Sequence, residues 1–149
     1  MAARFRFRLE PLLKLREALE RDAERAMAKA YQAEREVRLY LKALTDKRTE
    51  VFESHRLAPG QTLDLELWQA GERYLAVLDR RQIEGYERLR IASTQIVTAR
   101  EALVLAHRNH LMLVRLKERR ALQHAKEQQL REILEMDDLA ILRHHRQSA

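Results

Sequence analysis

His107 and His110 stand three residues apart in a stretch that reads as helix. That spacing puts two imidazoles on one face, where they could share a metal ion. The Glu-x-x-His repeat with which helical bundles hold paired metals does not occur, so the pair reads as water-facing, as do His144 and His145 near the chain end. Without cysteine there is no Cys-ligated zinc, thiol nucleophile or disulfide. The three glycines stand alone at 60, 71 and 85, so no phosphate loop is built, and no serine has a matching histidine and acid. The expectation is a chain with no catalytic residues, no metal and no cofactor, and therefore not an enzyme. What remains is chemistry of contact. In the opening MAARFRFRLEPLLKLRE, Arg4, Arg6 and Arg8 alternate with Phe5, Phe7 and Leu9, and a leucine-rich pattern follows at once. Such a start suits a nucleic-acid arm, a membrane-surface anchor, a targeting peptide or a tip that docks into a partner.

The elements that must carry these residues are helices. The 149 residues are 35% charged and 5% aromatic, with only two prolines. Ala, Leu, Glu, Arg, Lys and Gln, all strong helix formers, dominate. Pro11 suits the first turn of a helix, where no N–H is needed. Pro59-Gly60 is the one strong turn signal, and Thr62 or Asp64 offers an N-cap after it. These marks predict an all-α fold: a long antiparallel two-helix coiled coil, or α-helical hairpin, whose second helix is longer than the first. Residues 1–149 form one coiled-coil domain in this reading, with helix one over about 10–56, a turn over about 57–63 and helix two over about 64–140.

Heptads support it. In helix one, Leu9, Arg16, Ala23, Ala30, Val37, Leu44 and Val51 fall at a, with Leu12, Leu19, Ala26, Ala33, Tyr40 and Lys47 at d. In helix two, Leu75, Gln82, Leu89, Ile96, Leu103 and His110 fall at a. Its d positions are Gly71, Leu78, Gly85, Ala92, Ala99, Ala106 and Leu113. A sustained 3.5-residue repeat specifies a left-handed coiled coil. With the turn centred near residue 60, Ala30 should face Ala92, Ala23 should face Ala99, and Leu44 should meet Leu75 and Leu78. The mate of residue 5 falls near 115, so helix two overruns by roughly thirty residues, about 45 Å. Leu130, Ile133, Leu134 and Ile141 then lack an intramolecular partner, as an interaction surface would. The aromatics cluster towards the turn, and Trp68 and Tyr74, six apart, cannot both lie on the seam. At least one is expected to point outward as a contact residue.

Charge narrows the classes. There are 29 basic and 23 acidic residues, a net +6, with both signs interspersed along the sequence. A nucleic-acid binder concentrates its bases. The i, i+4 pairs Glu10–Lys14, Glu17–Arg21, Glu34–Arg38 and Glu84–Arg88 read as solvated-face pairs worth a few tenths of a kcal/mol each. No apolar run is long enough to span a bilayer, and the early acids disfavour a mitochondrial presequence. A cytoplasmic protein without direct membrane insertion is expected.

Residues 5–17, Phe-Arg-Phe-Arg-Leu-Glu-Pro-Leu-Leu-Lys-Leu-Arg-Glu, strongly resemble the start of the flagellar export protein FliJ family, whose members open with Phe-x-Phe-x-Leu-x-x-Leu-Leu-x-x-Arg. Length, absent cysteine, single central turn and longer second helix are similar too. The resemblance implies a stalk-like coiled coil in the cytosolic part of the flagellar type III export apparatus, at the inner face of the cell membrane. Its paired ends would insert into the hexameric export ATPase and promote its assembly. Its turn side would contact the export gate protein FlhA, and it would escort export chaperones. Carried over by position, the ATPase-docking set is Arg4, Phe5, Arg6, Phe7, Arg8, Leu9, Leu12 and Leu13 with Leu130, Ile133 and Leu134. The gate-contact set is Tyr40, Leu44, Trp68, Tyr74 and Leu78. A basic coiled coil that binds nucleic acid, the homologous stalk of a virulence secretion system and a membrane-surface helix are the alternatives. Nucleic acid is not the expected partner, because no continuous basic helix forks from the coil.

Overall fold

A computed structural model describes residues 3–56 and 59–149. Two helices make up the hairpin, α1 over Glu10–Ser54 and α2 over Leu65–Ser148, the second nearly twice the length of the first. α2 continues to Ser148, past the expected end near residue 140. Of the expected turn, Leu57 and Ala58 lie outside the described residues. The chain divides into two compact units: Asp22–Leu103, which contains the turn, and Met1–Arg21 with Val104–Ala149, which contains both termini.

In the turn-containing unit the core is Leu41, Leu44, Leu75 and Leu78, with Val37, Val51 and Leu89 packed against it. Burying a leucine of this kind contributes on the order of 2 kcal/mol. Leu78 is only 1% exposed, and Ala92 and Ile96 continue the buried line along α2. A Cβ on Gly85 would come within 2.6 Å of Leu41 Cδ2, so glycine there admits the leucine. Arg48 reaches across to Asp79 at 2.9 Å and donates to Gln82 at 3.2 Å. Arg100 donates to the Tyr31 hydroxyl at 2.8 Å.

The turn is closed by specific polar groups. Gly60 has φ of 89°, a left-handed conformation that glycine adopts without strain. Of the two expected caps, Asp64 is used: its Oδ1 accepts from the amides of Glu66 and Leu67 at 3.1 and 3.3 Å. His55 lies at the end of α1 with Nδ1 2.7 Å from the Val51 carbonyl and Nε2 3.3 Å from that of Trp68. Its ring fills the notch left by Gly71, where a Cβ would overlap it.

Burial along α2 follows the expected seam from Gly71 through Leu113. Along α1 it differs by one position. The a residues from Arg16 to Val51 are buried or half-buried, but their companions are Leu13, Glu20, Met27, Glu34, Leu41, Arg48 and His55. Leu12, Leu19, Ala26, Tyr40 and Lys47 are exposed instead. Counting apolar residues favoured the wrong row, because the true row carries Glu20, Glu34, Arg48 and His55.

The pairing is displaced as well. Phe5 meets His124, with ring centroids 5.6 Å apart, where equal spacing from residue 60 put its mate near 115. Tyr31 meets Arg100, which moves the partner of Ala30 beyond Ala92. The cause is local: residues 65–70 are helical but all exposed, and the seam of α2 begins only at Gly71, against His55. Leu44 still packs with Leu75 and Leu78.

In the unit that holds the termini, Leu13 is the one buried leucine of the opening pattern. Glu10 begins α1 with its amide 3.1 Å from the Phe7 carbonyl and bonds Lys117 across the pair at 2.8 Å, rather than Lys14. From residue 129 onward every side chain is exposed. The unpaired part of α2 is thus twenty residues, about 30 Å, and shorter than equal spacing implied.

Candidate functional site

Two surfaces carry the residues singled out by the sequence, one in each unit. In the termini unit, residues 3–7 run without regular structure and the turn at Arg8-Leu9 leads into α1. The alternation sorts this segment into two kinds of side chain. Phe5 and Phe7 are half-buried, while Arg4, Arg6 and Arg8 are exposed. Together with Arg120, Gln123, His124 and Glu127 of α2, this segment lines an open hollow of about 720 Å³. Leu9 and Leu12 are each 37% exposed and Leu13 is buried, so the opening leucines divide between surface and seam. Leu130, Ile133 and Leu134 are all more than half exposed, and Met136, Leu139, Ile141 and Leu142 extend the apolar surface beyond them.

Above this surface lies a polar lock. Glu20 of α1 faces both His107 and His110 of α2, accepting from His107 Nδ1 at 2.6 Å and from His110 Nδ1. A carboxylate can only accept, so each ring presents its Nδ1–H. The His107 bond, aided by His110, holds the Glu20 carboxyl below its ordinary range despite partial burial, which acts the other way. Of the two histidines that read as a water-facing pair, His107 is indeed exposed while His110 is half-buried on the seam, and both bond across to α1. Among the described residues no group of three or more His, Cys, Asp or Glu side chains is arranged to hold a metal ion.

In the turn-containing unit, Leu44 and Leu78 are core residues and offer no surface. Tyr40, Trp68 and Tyr74 are each about 40% exposed, and Tyr31, Phe52 and Tyr86 are exposed too. Both members of the Trp68–Tyr74 pair face water in part. Trp68 lies 6.3 Å from the His55 ring, and with Leu63, Leu67 and Tyr74 it lines a hollow of about 760 Å³ beside the turn.

Sequence reasoning missed Arg120 and His124 as neighbours of the opening arginines, since it paired residue 5 nine positions too early. The signal was present in α2's first two turns, which carry no seam residue before Gly71.

No helix among the described residues is long and apolar enough to cross a membrane. The family model described as "Flagellar FliJ protein" matches residues 5–149, nearly the whole chain. No curated protein and no solved structure gives a significant match.

Proposed function

Because the chain belongs to the FliJ family of flagellar export-related proteins, we propose that it is the non-catalytic stalk of a flagellar type III export apparatus. In this reading the termini unit enters the export ATPase hexamer and promotes its assembly and activity. The turn-containing unit meets the export gate FlhA, and export chaperones are escorted on the exposed helical surface.

The observation that carries the reading is the state of the termini unit. A leucine-rich helix runs on unpaired beside a segment of alternating arginine and phenylalanine. Apolar surface of that extent on an otherwise charged chain is a protein-contact surface, and arginines around it would guide approach. Phe5, Phe7, Leu9 and Leu12 with Leu130, Ile133 and Leu134 are the anchoring residues of this proposal, with Arg4, Arg6 and Arg8 beside them. Leu13 supports them from the seam. On the turn side, Tyr40, Trp68 and Tyr74 have accessible side chains for the gate, and Leu44 and Leu78 hold the scaffold under them.

The test is ATP hydrolysis by the cognate flagellar export ATPase with and without the protein. Stimulation by the wild type should be lost in a Leu130→Ala, Ile133→Ala, Leu134→Ala variant, which alters exposed residues only and should keep its helicity by circular dichroism. A folded wild type that neither binds nor stimulates the ATPase would sink the stalk reading.

A further inference from the structure

The mixed charge of the linear sequence does not survive folding. Residues 3–16 carry five bases and one acid, and residues 115–126 carry five bases and one acid. The Phe5–His124 ring contact and the Glu10–Lys117 ion pair bring these two stretches side by side in one unit. Ten cations against two carboxylates is a local excess of eight, larger than the +6 of the whole chain, so the remainder is slightly acidic. Lys117 is the only one of the ten with a carboxylate partner among the described residues. Four of the unpaired ones, Arg4, Arg6, Arg8 and Arg120, line a single hollow of about 720 Å³ with one acid, Glu127, on its wall.

Nine unpaired cations at this density repel one another, and an anionic partner relieves that repulsion. Exposed guanidiniums are planar forks that take carboxylates or phosphates two bonds at a time. The aromatic rings decide between these. Single-stranded nucleic acid is held by stacking on free aromatic faces between basic groups. Here Phe5 and Phe7 are half-buried, and the Phe5 ring already packs on His124. We infer that the opening arginines and the 115–126 face of α2 together form a receptor for an acidic protein segment, a run of glutamates and aspartates laid across the Arg4–Arg6–Arg8–Arg120 hollow. The inference rests on the stalk reading only in taking the partner to be a protein.

Fluorescence anisotropy with a labelled oligoglutamate peptide tests it directly, with an oligothymidylate of equal charge as the competing probe and no ATPase present. The wild type should bind the peptide at low ionic strength and lose it with added salt. An Arg4→Ala, Arg6→Ala, Arg8→Ala variant and an Arg120→Ala variant should each weaken binding, the triple change by roughly fivefold or more. An Arg80→Ala, Arg81→Ala control in the other unit should leave it unchanged. All altered side chains are exposed, so helicity should be retained. Three results overturn the inference: no peptide binding, equal weakening by the control, or tighter capture of the oligothymidylate through the same arginines. ATPase stimulation without peptide binding removes this inference and leaves the stalk reading intact, and peptide binding without stimulation does the reverse.

Discussion

Glu20 shows how a single side chain sets the alignment of two helices. It has two oxygens and faces two imidazoles, and its side chain is only 14% exposed. Sliding α2 by one heptad would leave this carboxylate half-buried without donors, at a cost of about 1–3 kcal/mol. Replacing it with glutamine keeps the volume but offers a single acceptor. The Glu20→Gln variant should lose about 1–2 kcal/mol in urea unfolding at neutral pH. The pH dependence follows from the direction of the shift. A carboxyl held below its ordinary 4.5 in the folded state favours folding above that value. The advantage disappears as pH falls below 4.5 and through the folded value. The gap between wild type and variant should therefore be full at pH 7 and should close on acidification below about pH 4. Urea midpoints measured at both pH values check this; a gap that widens in acid would contradict it. The sequence could not announce this lock, because glutamate and histidine on a helix are normally solvated, and only the neighbour across the seam makes them otherwise.

At the scale of elements, helix content and topology were legible and the finer register of α1 was not. The helices follow from composition and from two prolines, and the seam of α2 follows from its own apolar repeat. The α1 repeat is ambiguous because two adjacent rows compete. One holds Leu12, Leu19 and Tyr40; the other holds Leu13, Leu41 and four polar residues. The second wins since Arg48 meets Asp79 and Glu20 meets two histidines, so its polar members are satisfied rather than stranded. A pair of substitutions separates the two registers. Leu13→Ala should destabilise by about 2–3 kcal/mol and Leu12→Ala by less than about 1 kcal/mol. Equal losses in thermal or urea unfolding would mean that burial is shared between the rows. The opening arginines were visible as a motif for the same reason that their α2 neighbours were not: the motif is local, whereas Arg120 joins it only through the six-residue lead that α2 takes before pairing begins.

For the molecule as a whole, stability and the proposed partner contact fall on different stretches of chain. Residues 129–149 are all exposed, so deleting them should leave the unfolding free energy from urea titration within about 0.5 kcal/mol of wild type. The same deletion should abolish stimulation of the export ATPase if Leu130, Ile133 and Leu134 are its anchors. A midpoint that falls sharply would show that the segment packs on the hairpin after all. How this segment stays helical bears on how it would be captured. An isolated helix of twenty residues is marginal in water because its first turn is costly to nucleate. Here the paired part of α2 supplies that nucleus, and each further residue needs only to propagate. The helix therefore melts gradually from Ser148 inward rather than all at once. A partner that grips it needs to suppress end-fraying, not to fold a disordered peptide. Affinity is then adjustable through intrinsic helix propensity at solvent-facing positions that touch nothing, independently of the leucines that make the contact.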